Sequence, residues 1–521
     1  MIISQEQHLN ILDLPNEIQL QIFDYLNLRD RKNTSRVCRL WNVLSFSGRF
    51  LDRICLQLSV EGDSFKCIVE VLSHSSRRYR HIVINFNNRD IVTTHGLRVS
   101  DGLETLALIG LSRLKADQLI ELLENNPRLN RLFLIGEWID VYRKTCLLEL
   151  PTLKMDVLHA ECFPTWLSAL SADSSLVLRH LANLCVLVPS LCKSELRSLA
   201  RICPDPKTLQ LTGTDPTVAS LYECYHKQLE KISILSPQKD FFHQFCGIGF
   251  PKLDYLYLDR LEIHDQQTVT SCINFFENKL HCVRLQTLIL HHLFMIRTPI
   301  FTTICHNCLA LRTLELSLNY LNGDALKEVT NLSSLQKLTL QGTAYFHETP
   351  HWANQIVSLT TVTIAGNRFP VPMLEFIADI APNLQSLTLE DVAKPPEIFY
   401  ILPTLVGNIG HLEMGYSHHF ERPPSCHPSG FLRNMNNLKT YSIRRVTINH
   451  GIQGWLQDAP QLRSVTIADC SSLTDTHLVI LTTNCPKLRQ LQLKGCPGVT
   501  EKGIGEFRSR VPLCSVSGDM D

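Results

Sequence analysis

The 521-residue sequence has no charge of either sign to spare: 50 Lys and Arg are balanced by 50 Asp and Glu. A strongly basic or acidic field is missing, and with it the usual electrostatic basis for capturing nucleic acid or an anionic membrane surface. No stretch reaches the roughly 20 apolar residues that a membrane span requires. The opening residues, Met1 to Asn10, hold Gln5, Glu6, Gln7 and His8 and lack the basic start and apolar run of a secretory signal. The expectation is a protein of the cytosol or nucleus, with no nucleic-acid and no membrane partner. Catalytic signatures are missing too: no Gly-x-Ser-x-Gly, no glycine loop to cradle phosphate, no His-Glu-x-x-His. The chain is therefore expected to be no enzyme and to use no cofactor.

What is present is a repeat. Its clearest copy begins at Leu462, continues through Val465, Ile467 and Cys470, and passes Leu478 and Leu481 to Cys485-Pro486. The next copy opens at Leu488 with Leu491, Leu493 and Cys496. Leu-x-x-Leu-x-Leu places two apolar side chains on one face of a short strand, because strand side chains alternate. The Leu478–Leu481 spacing is helical. Neither piece buries its apolar face alone, so copies must stack.

The same frame starts at Tyr79, Leu103, Leu129, Leu153, Leu181, Pro206, Leu229, Leu253, Leu285, Leu311, Leu335, Leu359, Leu384, Ile409, Leu438, Leu462 and Leu488, at intervals of 23 to 32 residues. A proline often precedes the start by two places, as at Pro127, Pro151, Pro251 and Pro382, where it ends one helix and extends the chain into a strand. This pattern resembles the cysteine-containing leucine-rich repeat. The predicted fold class is α/β: a leucine-rich-repeat solenoid, a horseshoe or arc with parallel strands inside and helices outside.

The 19 cysteines are an odd number, and several occupy frame positions. Cys203, Cys308 and Cys485 close helices, while Cys470 and Cys496 follow strands, so they read as reduced core residues. Cys305-His306-Asn307-Cys308 has metal-like spacing but no second pair, and packing explains it. His418-His419 with Cys426-His427 reads as an exposed polar loop. No metal site is expected.

Residues Leu9 to Asp52 do not follow the repeat. Leu14-Pro15-Asn16-Glu17 opens a helix carrying Ile18, Ile22, Phe23 and Leu26, and a second helical segment carries Val37, Cys38, Trp41 and Leu44. Leu14-Pro15-x-Glu17, Ile22-Phe23-x-x-Leu26, Asp30 and Val37-Cys38-x-x-Trp41 stand at the spacings of the F-box, which this segment resembles. The resemblance implies an all-helical unit that docks on a Skp-type adaptor and, through it, on a cullin and a RING subunit. Leu14, Pro15, Ile22, Phe23, Leu26, Val37, Cys38 and Trp41 would then form the F-box core and adaptor contact, with Glu17 capping or orienting the first helix. Arg31, Thr34 and Arg36 stand where that family often has apolar residues.

The domain plan that follows is an F-box at 9–52, a packed linker and irregular first repeat at 53–78, repeats at 79–510 and a tail at 511–521. The tail is either disordered or a cover for the last repeat. The plan resembles F-box/leucine-rich-repeat substrate receptors of SCF-type ubiquitin ligases, with a repeat scaffold or regulator outside any ligase, its F-box serving stability or an adaptor complex without cullin, as the alternative. Substrate, an unknown protein, would meet the strand residues between the buried leucines. Phe133, Tyr255, Tyr257, Asp259 and Glu315 are the candidates, because tyrosine is enriched at interface hot spots. Proline-rich stretches at 391–397 and 415–430 are either connections or binding loops.

Overall fold

In the computed structural model, residues 11–52, 54–60, 70–72, 75, 77, 79–86, 102–111, 114–115, 125–126, 128–136, 139–140, 152–156, 181–187, 193–212, 219–237, 239–260, 265–291, 298–317, 321, 323–342, 354–366, 371–391, 402, 407–415, 432, 435–445, 459 and 461–519 are described. The candidate polar cluster at His418, His419, Cys426 and His427 lies outside them, as does most of both proline-rich stretches. The chain divides into two compact units, Met1–Tyr225 and His226–Asp521, each taken by itself below.

The N-terminal unit opens with four short helices: α1 (Asn16–Asp24), α2 (Leu28–Thr34), α3 (Arg39–Ser45) and α4 (Gly48–Leu51). Asn27 caps α2 by accepting from the Asp30 N–H at 2.9 Å. Cys38 caps α3, its sulfur accepting from the Trp41 N–H at 3.4 Å. Among the described residues seven strands of one sheet follow, each parallel to the next: Cys55–Val60, His81–Phe86, Thr105–Leu111, Arg131–Gly136, Thr152–Asp156, Asn183–Leu187 and Thr208–Thr212. The stretch expected to be a linker and irregular first repeat contains the first of these strands. Arg80, just before the second strand, reaches Asp52 at 2.5 Å and Glu104 at 2.9 Å, so it ties the end of α4 to two repeats.

The C-terminal unit holds twelve parallel strands in sequence order, from Lys231–Leu235 and Tyr255–Asp259 to Gln490–Lys494 and Ser515–Asp519. Their register aligns one buried ladder: Leu256, Leu288, Leu314, Leu338, Val362, Leu387, Leu412, Tyr441, Val465 and Leu491. Each of these is buried, and apart from Thr339 beside Leu338 the neighbours on either side in the strand are not, as alternation demands. Successive helices pack on one another, Lys239–Cys246 on Gln266–Glu277 and that on Thr298–Asn307. The 32-residue Leu253 repeat gains its length from a second helix, Lys279–Cys282, started by Asn278.

One start is corrected. The strand Thr152–Asp156 pairs Leu153 with Leu132 and Leu184, the second strand positions of its neighbours, so that copy begins three residues earlier than the sequence predicts. Pro151 stands directly before the strand instead of before the helix-ending leucine, which is what displaced the frame. The tail is not unstructured throughout: Ser515–Asp519 is a strand beside Gln490–Lys494.

Cys203, Cys308, Cys470 and Cys485 are buried, Cys496 is half-buried, and all five are free thiols. Burial pushes the Cys203 and Cys485 thiols up to about 12, which suits packing rather than reactivity. Cys305 is likewise buried, with its thiol pushed well up by desolvation.

A left-handed turn closes strand after strand. Ser236, Arg260, Gly342, Gly366, Asp391, Arg445, Asp469 and Gly495 all have positive φ and all directly follow a strand. Seven of them are known to donate their N–H to the carbonyl that ends the next strand, for example Arg260 to His291 at 3.1 Å and Asp469 to Lys494 at 2.7 Å. At Gly366 the turn is also crowded: a Cβ there would lie 2.5 Å from the Gly342 carbonyl oxygen.

Three substitutions test the frame. Leu256→Ala should open a cavity and lower stability by about 2–5 kcal/mol. Tyr257→Ala, on the opposite face, should cost about 1 kcal/mol, the scale of its edge contact with His291 at 5.5 Å. Gly366→Ala should destabilise through the clash while changing no side-chain contact. Thermal melting of the three variants checks the order, with Tyr257→Ala the mildest.

Candidate functional site

Two surfaces carry the residues singled out by sequence. In the first, α1 and α3 pack around a small core of Phe23, Leu44 and Phe50, with Leu20, Ile22, Leu26 and Trp41 partly buried against it. Phe23 meets Trp41 edge-on at 5.4 Å. Four of the nine candidate adaptor residues are therefore core residues: Ile22, Phe23, Leu26 and Trp41. Pro15, Glu17 and Val37 are exposed, and Leu14 and Cys38 are half-buried. Glu17 sits in the first turn of α1, where the helix dipole favours an acid, while Pro15 holds the cap position. No side-chain hydrogen bond caps that end.

The sequence placed Ile18 in the apolar stripe of α1, but Ile18 is exposed and its neighbour Gln19 is buried instead. Gln19 is satisfied on both ends. Its amide donates to the Leu14 carbonyl at 2.7 Å, and its oxygen accepts from the Trp41 indole N–H at 2.8 Å. A glutamine one place from an aliphatic residue gives no periodic signal; the buried indole N–H, which needs an acceptor, was the available hint. Of the departures from the family pattern, Arg31 lies over the Phe50 ring at 4.7 Å and Thr34 returns its hydroxyl to the Asp30 carbonyl at 2.8 Å.

With those residues turned inward, a different set faces solvent. Of fourteen exposed large apolar side chains among the described residues, eight lie between Ile11 and Val43: Ile11, Leu12, Ile18, Tyr25, Leu28, Val37, Leu40 and Val43. Leu40 and Val43, three residues apart, are neighbours on α3, and Val37 lies just before the Cys38 cap of that helix. Apolar exposure this concentrated marks an interaction surface rather than scattered chance.

The second surface is the open side of the strands in the C-terminal unit. Tyr255, Tyr257 and Asp259 stand half-buried on one strand, opposite the buried Leu256 and Leu258. Glu315, two strands on, is in register with Tyr257 through Ile289. His291, which sequence reading passed over, links them: its ring meets Tyr257 edge-on, and its Nε2 lies 2.5 Å from Glu315 Oε1. Gln341 donates to the same carboxylate oxygen at 3.2 Å. Desolvation raises the Tyr255 and Tyr257 phenols, followed by the charge of Glu315 for the first and of Asp259 for the second. Both phenols thus stay neutral donors at physiological pH. Phe133 occupies the equivalent open position on Arg131–Gly136 in the N-terminal unit and is half-buried. Among the described residues no cluster of three or more His, Cys, Asp or Glu is arranged to hold a metal, and no helix is long and apolar enough to cross a membrane.

The F-box-like family profile matches residues 11–57. Among solved structures, the chain is similar to the crystal structure of the Rad7 and Elc1 complex in yeast, at 14% identity and a TM-score of 0.33, covering 69% of this chain and 88% of that one. It is similar to the TLR13–ssRNA13 complex at 13% identity and a TM-score of 0.45, covering 89% and 67%. It is also similar to the LRR ectodomain of the Arabidopsis thaliana receptor kinase GASSHO1/SCHENGEN3, at 15% identity and a TM-score of 0.33, covering 89% of this chain and 51% of that one. No curated protein matches. The chain is an F-box-like helical segment followed by a leucine-rich-repeat solenoid, and the repeat fold rests on its own strand register.

The Gln19 contacts generate a prediction. Gln19→Leu removes the acceptor of the Trp41 indole and the donor to Leu14, and should destabilise the helical unit by about 1–3 kcal/mol. Phe23→Ala should cost about 3–5 kcal/mol. Hydrogen exchange should show lost protection in α1 and α3 for both variants, with the strands from Tyr255 to Lys494 unchanged.

Proposed function

We propose that this chain is the substrate-recognition subunit of an SCF-type ubiquitin ligase. The F-box-like helices dock on a Skp-type adaptor, which brings a cullin and a RING subunit. The open strand face holds a protein substrate, which is ubiquitinated and sent for proteasomal degradation. The observation that carries the reading is the apolar exterior of the helical segment. Four short helices with a core of three fully buried apolar residues expose eight large apolar side chains, and covering them against a partner is favourable by roughly 25 cal/mol per Å². The covalent chemistry belongs to the recruited enzyme. This chain contributes position, raising the effective concentration of substrate near that enzyme. The Arg80 pairs with Asp52 and Glu104 favour such a role, because they fasten the helices to the first repeats.

The substrate side of the proposal rests on Tyr255, Tyr257, Asp259 and Glu315, with His291 added by its contacts and Phe133 as a further open-face aromatic. Two neutral phenols beside acidic groups suit a segment offering acceptors and cations. The cytosol or nucleus is the compartment this role requires.

Val37→Asp with Val43→Asp tests the adaptor side. Both residues are exposed, so melting should change little, while recovery of adaptor and cullin from cells should drop at least tenfold. Full recovery would remove the helical surface from the proposal. Wild-type chain that recovers adaptor without cullin would instead mark a scaffold outside any ligase. On the substrate side, Tyr255→Ala with Tyr257→Ala should lengthen the half-life of a bound substrate and leave adaptor recovery intact. An unchanged half-life would move the substrate site elsewhere.

A further inference from the structure

Between Leu28 and Arg39 the sequence holds five cations, Arg29, Arg31, Lys32, Arg36 and Arg39, against the single carboxylate of Asp30. Three of them turn toward the same place. Lys32, Arg36 and Arg39, joined by Arg77 from the chain leading into the second strand, line a groove of about 760 Å³ between α2, α3 and the first strand. Among the described residues no acidic side chain lines it. Lys32, Arg36 and Arg39 are exposed, and the ion pairs described in this unit, Arg49 with Asp24 and Arg80 with Asp52 and Glu104, use none of them. Arg77 is held in the wall by its guanidinium, 3.6 Å from the centre of the Phe46 ring.

The remaining lining is largely apolar: Leu28, Phe46, Ile54, Leu56 and Tyr79. Leu28 is 52% exposed, an arrangement that leaves an aliphatic side chain in water beside a row of cations that take no part in the described ion pairs. The volume falls in the range of about 300–1,000 Å³ typical of ligand sites. A small polyanion would satisfy the cations and leave the apolar lining wet. A short acidic peptide with an apolar side chain satisfies both.

We propose that this groove docks an acidic peptide segment carrying one aromatic or aliphatic anchor, its carboxylates on Lys32, Arg36 and Arg39 and its anchor against the apolar lining. The groove borders the helical surface of the proposed function at Leu28 and Cys38 but takes in neither α1 nor Val37, Leu40 and Val43, so the Val37→Asp with Val43→Asp variant tests the adaptor, the Arg36→Glu with Arg39→Glu variant tests this groove, and the two readings fail separately. Charge complementarity of this kind sets on-rate and specificity, and it weakens with salt because the exposed cations are screened over a Debye length of about 8 Å at physiological ionic strength.

The test uses the full chain and a fluorescein-labelled peptide of Asp and Glu residues around one central Phe, read by anisotropy. Saturable binding that weakens as salt rises is the expected result. Arg36→Glu with Arg39→Glu should weaken it by at least about tenfold, as should replacing the peptide's Phe with Ser. Adaptor recovery and melting of the double variant should match wild type. Should that variant fold poorly, the same peptide with Lys in place of its acids, added to wild-type chain, should not bind. Absence of saturable binding overturns the proposal. So does equal affinity for the Ser peptide, for tripolyphosphate as competitor, or for a single-stranded RNA of the same charge.

Discussion

The in-register stacking of identical short strands is the constraint on which both units depend. A strand of five residues with two buried leucines has almost no stability alone. Placed beside a copy of itself, it gains a parallel ladder of backbone hydrogen bonds and covers its apolar face in the same step. Register matters because side chains alternate: a slip of one residue would carry Leu256 and Leu258 to the open face and bury Tyr255 and Tyr257. The left-handed turn after eight of the strands helps hold the register, since in seven of them its N–H bonds the last carbonyl of the following strand. An αL residue with a side chain costs about 1–2 kcal/mol. Arg260, Asp391, Arg445 and Asp469 adopt it all the same, which shows how firmly the stack dictates the backbone.

That constraint divides each strand into fixed and free positions. The ladder from Leu256 to Leu491 is aliphatic at nearly every rung, with Tyr441 the one aromatic, its hydroxyl 3.9 Å from the Met414 sulfur. The adjoining open row runs Tyr257, Ile289, Glu315, Thr339, Thr363, Thr388, Glu413, Ser442, Thr466 and Gln492, in which aromatic, acidic and small polar residues succeed one another without a rule. Packing does not choose these side chains. Contacts between them form across strands, as in Arg444 with Glu413 at 3.0 Å or the His291–Glu315–Gln341 group. A recognition surface on this face is free to vary without disturbing the core beneath it.

The division also explains what the sequence revealed. Leucine spacing is dictated by burial, so sixteen of the seventeen starts precede a strand by two residues, and the exception, Leu153, followed a proline that sat three residues out of place. The open face, the turns and the helical segment were less legible for a shared reason. Ser236, Arg260, Asp391 and Gly495 fill one backbone position with four chemistries, so no composition marks it. His291 became part of the candidate site only because the sheet sets it beside Tyr257 and Glu315, 34 and 24 residues away in sequence. Gln19 was hidden by Ile18: in a helix of nine residues, one place of rotation decides which of two neighbours is buried, and an apolar period over two turns does not fix it.

The helical segment obeys a different logic from the repeats, and the contrast bears on how the two work together. A repeat is stabilised on both sides by copies of itself. The segment from Ile11 to Leu51 has one core cluster and one neighbour. Its inward face is completed by polar devices of high specificity: the Gln19 bridge from Leu14 to Trp41, the Arg31 guanidinium over Phe50, and Arg80 reaching back to Asp52. Hydrogen bonds and ion pairs are directional, so they set the angle of the helices on the first strands in a way that leucine packing alone does not. Its outward face has no such devices. Val37, Leu40 and Val43 are exposed, although the described core cluster of this segment holds three buried apolar residues and four partly buried ones. If stability alone had shaped this unit, these side chains would face inward. Their position outside is therefore not what stability asks for, and the fold of the unit is specified by the few polar contacts that keep these three side chains pointing out.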